Sequence, residues 1–300
     1  MANITLKQLA YFKAAAETGS VADAAKRENL TQPSISSALL KMEATLGVSL
    51  FVRHHAQGVS LTPTGLRLLP LARALLRQAD EFEDLGRSEA EEPVGNLKIG
   101  CYPTLAPTFM PAVIETFRKD YPRIELEFVE GTEDDILPKM EAGEIDAGIF
   151  YDTCLPDNVK RVTLQTLEPH VLLSAGHRMA GRKEIDLAEI AEEPLILLDT
   201  KPGREYFLQV LAAADLKPNI YFRSPSFEVI RGLVGRGLGY SILVTKPRSQ
   251  MTYDGLPLVH VPVKKPVPNT SVCLVRMPTF TTTKAVAILQ ETCRAISRAL

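Results

Sequence analysis

Thr31, Gln32, Pro33, Ser34, Ser36, Ser37 and Lys41 place hydroxyl, amide and ammonium groups close together in the N-terminal part of the chain. Ser34, Ser37 and Lys41 lie three and four residues apart, so on a helix they share one face. Short hydroxyls at the start of a helix can bond base edges or phosphate oxygens, and a lysine one to two turns later can hold a phosphate. That is the chemistry of duplex recognition rather than bond making. Taken alone, the same stripe also describes a solvated surface helix, and the flanking sequence has to decide.

Residues that carry catalysis or hold metals are not arranged for either. His170, His177 and His260 match no nucleophile–base signature, and no phosphate-binding glycine loop is present. No catalytic residue is expected, and a cleft enzyme is the weaker alternative. Cys101, Cys154, Cys273 and Cys293 are scattered without a Cys-x-x-Cys pair, which argues against zinc and a disulfide framework and for inert thiols. His54-His55 has no further ligand at metal spacing. Neither metal nor cofactor is expected.

The elements that must position the stripe can be read around it. Ser20 is placed to cap one short helix, with Asp23 completing a capping box. Asn29-Leu30-Thr31 forms a turn, with Leu30 as an apolar plug. Thr31 caps a second helix whose first turn takes Pro33, where a missing N–H costs nothing. Ile35, Leu39 and Met42 then face the core. Two short β-prone runs, Gly47 to Arg53 and the one opening at Leu61, flank a glycine-containing loop at His54 to Ser60 and form a hairpin wing.

From Pro63 to about Glu89 the sequence predicts one long helix with Leu68, Ala72, Leu75, Ala79 and Phe82 as a coiled-coil seam and Pro70 as a possible kink. Asp80, Glu81, Glu83 and Asp84 make its far end acidic, and Glu91-Glu92-Pro93 begins a hinge. Beyond Asn96 two successive βαβαβ patterns follow. The first has strands at 97–100, 124–129 and 147–150 and helices at 109–121 and 133–142. The second has strands at 195–198, 220–222 and 240–244 and helices at 206–214 and 227–235. A last strand near 271–275 and a helix near 283–299 are expected to return to the first unit.

In such sheets a ligand sits at the carboxyl ends of strands, where loops run into helix N-termini. Tyr102, Pro103 and Thr104 follow the first strand, and Phe150 ends the third. Thr132 precedes a helix, Asp199 and Thr200 follow the first strand of the second unit, and Ser226 and Phe227 open its later helix. Thr132 and Ser226 are equally well placed as plain helix caps. Lys201 and Arg204 would suit a carboxylate, while Asp199 and Glu228 would favour an amine or hydroxyl.

Bulk properties limit the alternatives. The 300 residues are 45% hydrophobic and 23% charged, with net charge −2, so any nucleic-acid binding must come from a local patch. The opening residues form no signal peptide and no apolar run reaches membrane length, so a cytoplasmic location without a membrane is expected. A solute-binding protein without DNA function would leave residues 1–65 unexplained.

The order of these motifs resembles the LysR-type transcriptional regulators. The matching residues are Leu9 and Phe12, Gly19-Ser20, Thr31-Gln32-Pro33-Ser34-Ile35-Ser36, Met42-Glu43 through Leu46-Gly47 to Leu50-Phe51-Val52-Arg53, and Leu61-Thr62-Pro63-Thr64-Gly65. Ser37-Ala38 and Met42 depart from the usual pattern, and the first of these bears on base preference rather than on DNA binding. The resemblance implies an α/β chain with an N-terminal all-α winged helix-turn-helix at 1–62, a dimerising linker helix and hinge at 63–92, and an effector domain at 93–300. That domain would comprise two doubly wound subdomains, about 93–165 with 267–300 and about 166–266, resembling type 2 periplasmic binding proteins. By the same resemblance Arg53 reaches a phosphate or the minor groove, and Thr104, Thr132 and the Thr200 loop contact an effector, with an organic acid as one candidate class. It further implies a homodimer through the linker helix, a homotetramer, a promoter operator with two-fold related half-sites, contact with RNA polymerase and activation of nearby genes.

Overall fold

In the computed structural model, residues 3–54, 58–87, 93–153, 155–201, 203–264, 266–280 and 282–299 are described. His55, Cys154, Pro202 and Glu91-Glu92, and the side chains of Glu81, Glu83 and Asp84, lie outside that description. The chain begins with α1 (Leu6–Thr18), α2 (Val21–Arg27) and α3 (Gln32–Leu46). Thr5 and Gln8 close a capping box on α1. Phe12, Ile35, Leu39 and Met42 are buried together, as their spacing predicts.

Two local expectations change. Ser20 caps α2 by accepting from the Asp23 N–H, but the Asp23 carboxylate bonds Lys26 at 2.9 Å. The Ser20 N–H is already held by the Thr18 hydroxyl, so Asp23 completes no box. Leu30 is 40% exposed instead of plugging the core, because the turn takes Asn29 through a left-handed φ of 54°.

The wing is an antiparallel pair, β1 (Phe51–His54) and β2 (Gly58–Leu61). The Glu43 carboxylate accepts from the N–H groups of Leu50 and Phe51 at 2.6 and 3.1 Å, pinning the wing to α3. Thr62 accepts from the Gly65 N–H and donates to the Ser49 carbonyl, starting the next helix against the wing. A Cβ on Gly65 would sit 2.3 Å from the Leu50 oxygen, so only glycine fits there. These contacts give physical reasons for the fixed spacing of the Glu43, Thr62 and Gly65 motif positions.

The long helix α4 (Pro63–Arg87) runs unbroken through Pro70. The seam read from the sequence is split. Ala72 is buried and Leu68 half-buried against the N-terminal core, whereas Leu71, Leu75 and Phe82 are 60%, 49% and 78% exposed. Two apolar faces lie side by side on this helix, and periodicity alone merged them.

Beyond α4 come two α/β units. In the first, β3 (Gly95–Cys101), α5 (Ala106–Asp120), β4 (Ile124–Glu130), α6 (Glu133–Glu141) and β5 (Ala147–Tyr151) form a parallel core of order β4-β3-β5. β6 (Lys160–Leu167) and the returning β12 (Thr270–Arg276) extend it antiparallel to the order β4-β3-β5-β12-β6, and α9 (Lys284–Ala299) packs against α5 and over β3 and β6. The second unit holds β7 (His170–Ser174), β8 (Leu195–Leu198), α7 (Gly203–Ala213), β9 (Ile220–Ser224), α8 (Phe227–Gly235), β10 (Ser241–Leu243) and β11 (Leu258–Pro262). β8 and β9 are parallel, and β10-β7-β11 is antiparallel. Strands β6, β7 and β11 escape the sequence reading. β6 continues to Leu167, so the crossing into the second unit falls after that residue rather than near 165. Among the described residues no helix is long and apolar enough to cross a membrane.

Candidate DNA-reading surface and ligand cleft

The start of α3 is a polar surface on an apolar support. Ile35, Leu39 and Met42 fasten the helix to α1 and α2, leaving Thr31, Gln32, Pro33, Ser34, Ser37 and Lys41 exposed and Ser36 half-buried. Thr31 has N-cap backbone geometry but makes no side-chain cap. Its hydroxyl instead bonds the Ser34 hydroxyl at 2.8 Å, while the Thr31 carbonyl accepts from the Ser34 N–H at 3.1 Å and Pro33 has no N–H to satisfy. Arg53 is exposed on β1, and His54 beside it bonds Ser60 at 2.7 Å. Lys7, Lys13, Lys26, Arg27, Lys41 and Arg53 outnumber Glu17, Asp23, Glu28 and Glu43 in residues 1–62, so this domain is locally basic in a chain of net negative charge.

The second site is a cleft between the two α/β units, closed over a cavity of about 30 Å³. Of the expected residues, Tyr102, Thr104, Thr200 and Phe227 line it. Pro103 is exposed and does not. Thr132 is committed to a capping box with Asp135, and Ser226 caps α8. Phe150 is fully buried in the first unit's core, because alternation along β5 turns it away from the cleft while Tyr151 faces in. Asp199 accepts from Arg204 at 3.1 Å and lies 3.8 Å from Arg223, outside the lining.

The sequence reading missed Tyr151, Tyr206, Phe207, Thr245 and Thr270, all of which line the cavity. Hydroxyls join the two units across it. Tyr151 bonds Thr104 at 2.8 Å and Thr245 at 2.7 Å. Tyr102 donates to the Lys201 carbonyl at 2.7 Å and lies 3.0 Å from the Thr200 hydroxyl. Tyr206 donates to the Pro268 carbonyl at 2.6 Å. Burial pushes the Tyr102 phenol up to about 12 and raises Tyr151 and Tyr206 as well, so all three are neutral donors. Only a strand-end rule that counts every unit crossing would have found them.

Among the described residues no group of three or more His, Cys, Asp or Glu is placed to hold a metal ion. Cys101, Cys273 and Cys293 are buried free thiols, and burial pushes Cys293 up to about 12.

A polar recognition helix with a wing, joined to a two-unit ligand-binding α/β domain, defines a ligand-responsive DNA-binding regulator. Sequence profiles agree: a bacterial regulatory helix-turn-helix protein of the lysR family matches residues 6–66, and the LysR substrate binding domain matches residues 90–297. The chain belongs to the LysR family of transcriptional regulators. It is 33% identical to the HTH-type transcriptional regulator YvbU of Bacillus subtilis over 85% of each chain. A LysR family regulator structure from Pseudomonas aeruginosa is 37% identical, with 98% of this chain and 99% of that one covered and a TM-score of 0.65. A full-length OxyR variant from the same organism is 27% identical over 97% and 98%, with a TM-score of 0.76.

Proposed function

We propose that the protein reads a promoter operator with two-fold related half-sites, and that a small molecule bound in the cleft between its α/β units controls that reading. Thr31, Gln32, Pro33, Ser34, Ser36, Ser37 and Lys41 meet the major groove, and Arg53 meets a phosphate or the minor groove. The observation that carries this is the exposed polar face at the start of α3, whose opposite face is held by Ile35, Leu39 and Met42. Tyr102, Thr104, Thr200 and Phe227 contact the effector, together with Tyr151 and Tyr206.

Dimerisation through α4 is supported by the exposed stripe of Leu71, Leu75 and Phe82, an apolar surface that water does not favour. The family resemblance supports assembly into a homotetramer, contact with RNA polymerase and activation of neighbouring genes. Binding to the DNA upstream of its own gene, followed by fluorescence anisotropy, tests the reading. Ser34→Glu should weaken binding at least tenfold, because it sets a carboxylate against phosphate. An unchanged affinity at moderate salt would remove α3 from the interface.

A further inference from the structure

The cavity between the two α/β units is lined without a charge, and that limits what it can take. Resting on the reading of this cleft as the effector site, we infer that its ligand is an uncharged molecule with an aromatic or hydrocarbon body and one hydroxyl or carbonyl oxygen, and that the Tyr151 hydroxyl reads that oxygen.

Among the described residues, those lining the cavity include no lysine, arginine, histidine, aspartate or glutamate. Tyr102, Tyr206, Phe207, Phe227, Leu198 and Leu243 form apolar walls, with threonine hydroxyls between them. Tyr102 and Tyr151 pack edge to face at 5.3 Å, an arrangement that a ligand ring can extend.

Cations close to the lining in sequence are engaged elsewhere. Lys201 lies 3.7 Å from Asp134, Arg204 bonds Asp199 and Glu205, and Arg223 lies 3.8 Å from Asp199. Lys246, next to Thr245, is exposed and outside the lining.

Helix N-termini are the other means of holding a buried anion, and at this cleft they are already countered. In α5 the Leu105 and Ala106 N–H groups bond the Tyr102 carbonyl, those of Thr108 and Phe109 bond the Leu105 carbonyl, and Pro107 has none. α7 and α8 carry Glu205 and Glu228 in their first turns, carboxylates at the positive ends of their own helices. The Arg204 N–H bonds the Thr200 carbonyl, and those of Ser226 and Val229 bond the Ser224 and Ser226 hydroxyls. An organic acid would lose its hydration there with no cation beside it, and an amine would lose its own with no carboxylate in the lining.

What remains is hydroxyl chemistry. Tyr151 bonds Thr104 of its own unit at 2.8 Å and Thr245 of the other unit at 2.7 Å. A phenol has one proton, so it donates to one threonine and accepts from the other. The closed cavity of about 30 Å³ is smaller than an aromatic ring, so a ligand enters by parting the units at the Tyr151–Thr245 bond. The phenol, only 7% exposed, is then left with one hydrogen-bonding position to fill in a nearly dry site. A ligand hydroxyl fills it as donor or acceptor and a carbonyl fills it as acceptor, and neither brings a charge.

The test uses the full-length protein with benzyl alcohol, benzoate, benzylamine and toluene, which share a ring and differ in its substituent. Thermal melting and calorimetry at neutral pH should show benzyl alcohol stabilising the native state at millimolar concentration. Benzoate and benzylamine should bind at least tenfold more weakly. Tyr151→Phe should cut the preference for benzyl alcohol over toluene by about fivefold or more. That ratio cancels any change in the ease of opening, which acts on both probes alike. Thr245→Val breaks the same contact from the other unit but leaves the phenol in place, so it should keep the preference. A merely structural role for Tyr151 would move both variants together. Tighter binding of benzoate or benzylamine, a preference unchanged in Tyr151→Phe or equally lost in Thr245→Val, or no binding of benzyl alcohol overturns the inference. If a charged probe binds instead and Phe227→Ala weakens it, the cleft stays the effector site and only the ligand class is wrong. If a bound probe is indifferent to Phe227→Ala, the cleft reading itself fails.

Discussion

Arg73 and Glu17 are bonded at 3.1 Å, although one lies on the long helix α4 and the other on α1 of the DNA-reading domain. The same guanidinium reaches the other way, to Glu144 at 2.9 Å and the Ala142 carbonyl at 3.0 Å at the end of α6. Glu17 in turn holds Arg27 of α2 at 2.8 Å. A single buried side chain thus connects the first two helices of the DNA-reading domain to the first α/β unit. Removing Arg73 leaves Glu17 with Arg27 alone and takes the counter-charge from Glu144, which is 44% exposed. Arg73→Leu should lower stability by roughly 1–3 kcal/mol in a denaturant melt. Glu144→Gln, which alters the more exposed member of its pair with Arg73, should cost about 1 kcal/mol or less.

The wing depends on a close backbone approach. Gly58 has a φ of 89°, and a Cβ there would lie 2.3 Å from the Gly19 carbonyl oxygen. The Val59 N–H bonds that same oxygen at 2.8 Å. Gly58→Ala should cost about 1–3 kcal/mol and displace Arg53 on the paired strand. DNA affinity should fall in the same variant while the α/β units keep their own melting behaviour, as hydrogen exchange can resolve by segment.

Lys41 lies on the outward face of α3 with no core contact. Its replacement by alanine should leave the melting temperature unchanged. The slope of log affinity against log salt should shrink by about 0.9, the loss of one phosphate contact. A slope equal to that of the wild type would place Lys41 away from the duplex.

Acid should weaken the second α/β unit. His170 and His260 pack with ring centroids 4.7 Å apart, and their ring nitrogens are buried. Arg231 from α8 and Lys246 add positive charge nearby. Burial, with help from Arg231 and Lys246, pushes His260 down to about 4, and burial together with His260 and Lys246 lowers His170 well below its ordinary value. The unfolded chain therefore binds protons that the folded one refuses. The stability present above about pH 6.5 is lost as pH falls toward 4, on the order of 2 kcal/mol for His260 alone. His260→Gln should flatten the pH dependence of melting across that window.

Leu75→Glu places a charge in the exposed stripe of α4 without touching Ala72 or Arg73 on its buried face. Light scattering should report a smaller assembly with an unchanged fold by circular dichroism. A variant that keeps the wild-type mass would assign the stripe another role.

The N-terminal domain was legible because its constraints are local. Ser20 caps its helix, Pro33 fits a first turn, and Ile35, Leu39 and Met42 share one face by spacing alone. Glu43, Thr62 and Gly65 stand in fixed order because each bonds or touches the wing a few residues away. The alternation of strand and helix from Gly95 to Tyr151 was legible for the same reason. By itself, then, the sequence determined the family, the polar face of α3 and the two-unit plan of the ligand-binding half.

The tertiary structure decided what depends on distant partners. It separated the two apolar faces of α4, because packing of Leu68 and Ala72 on the N-terminal core has the same period as packing on another helix. It removed Phe150 from the cleft and put Tyr151 there, because a one-residue step along a strand reverses the side chain. It turned Asp199 and Arg204 toward each other. It also brought Tyr151 to Thr245 and Tyr206 to Pro268, pairs far apart in the chain whose contact exists only because the two units close on one another.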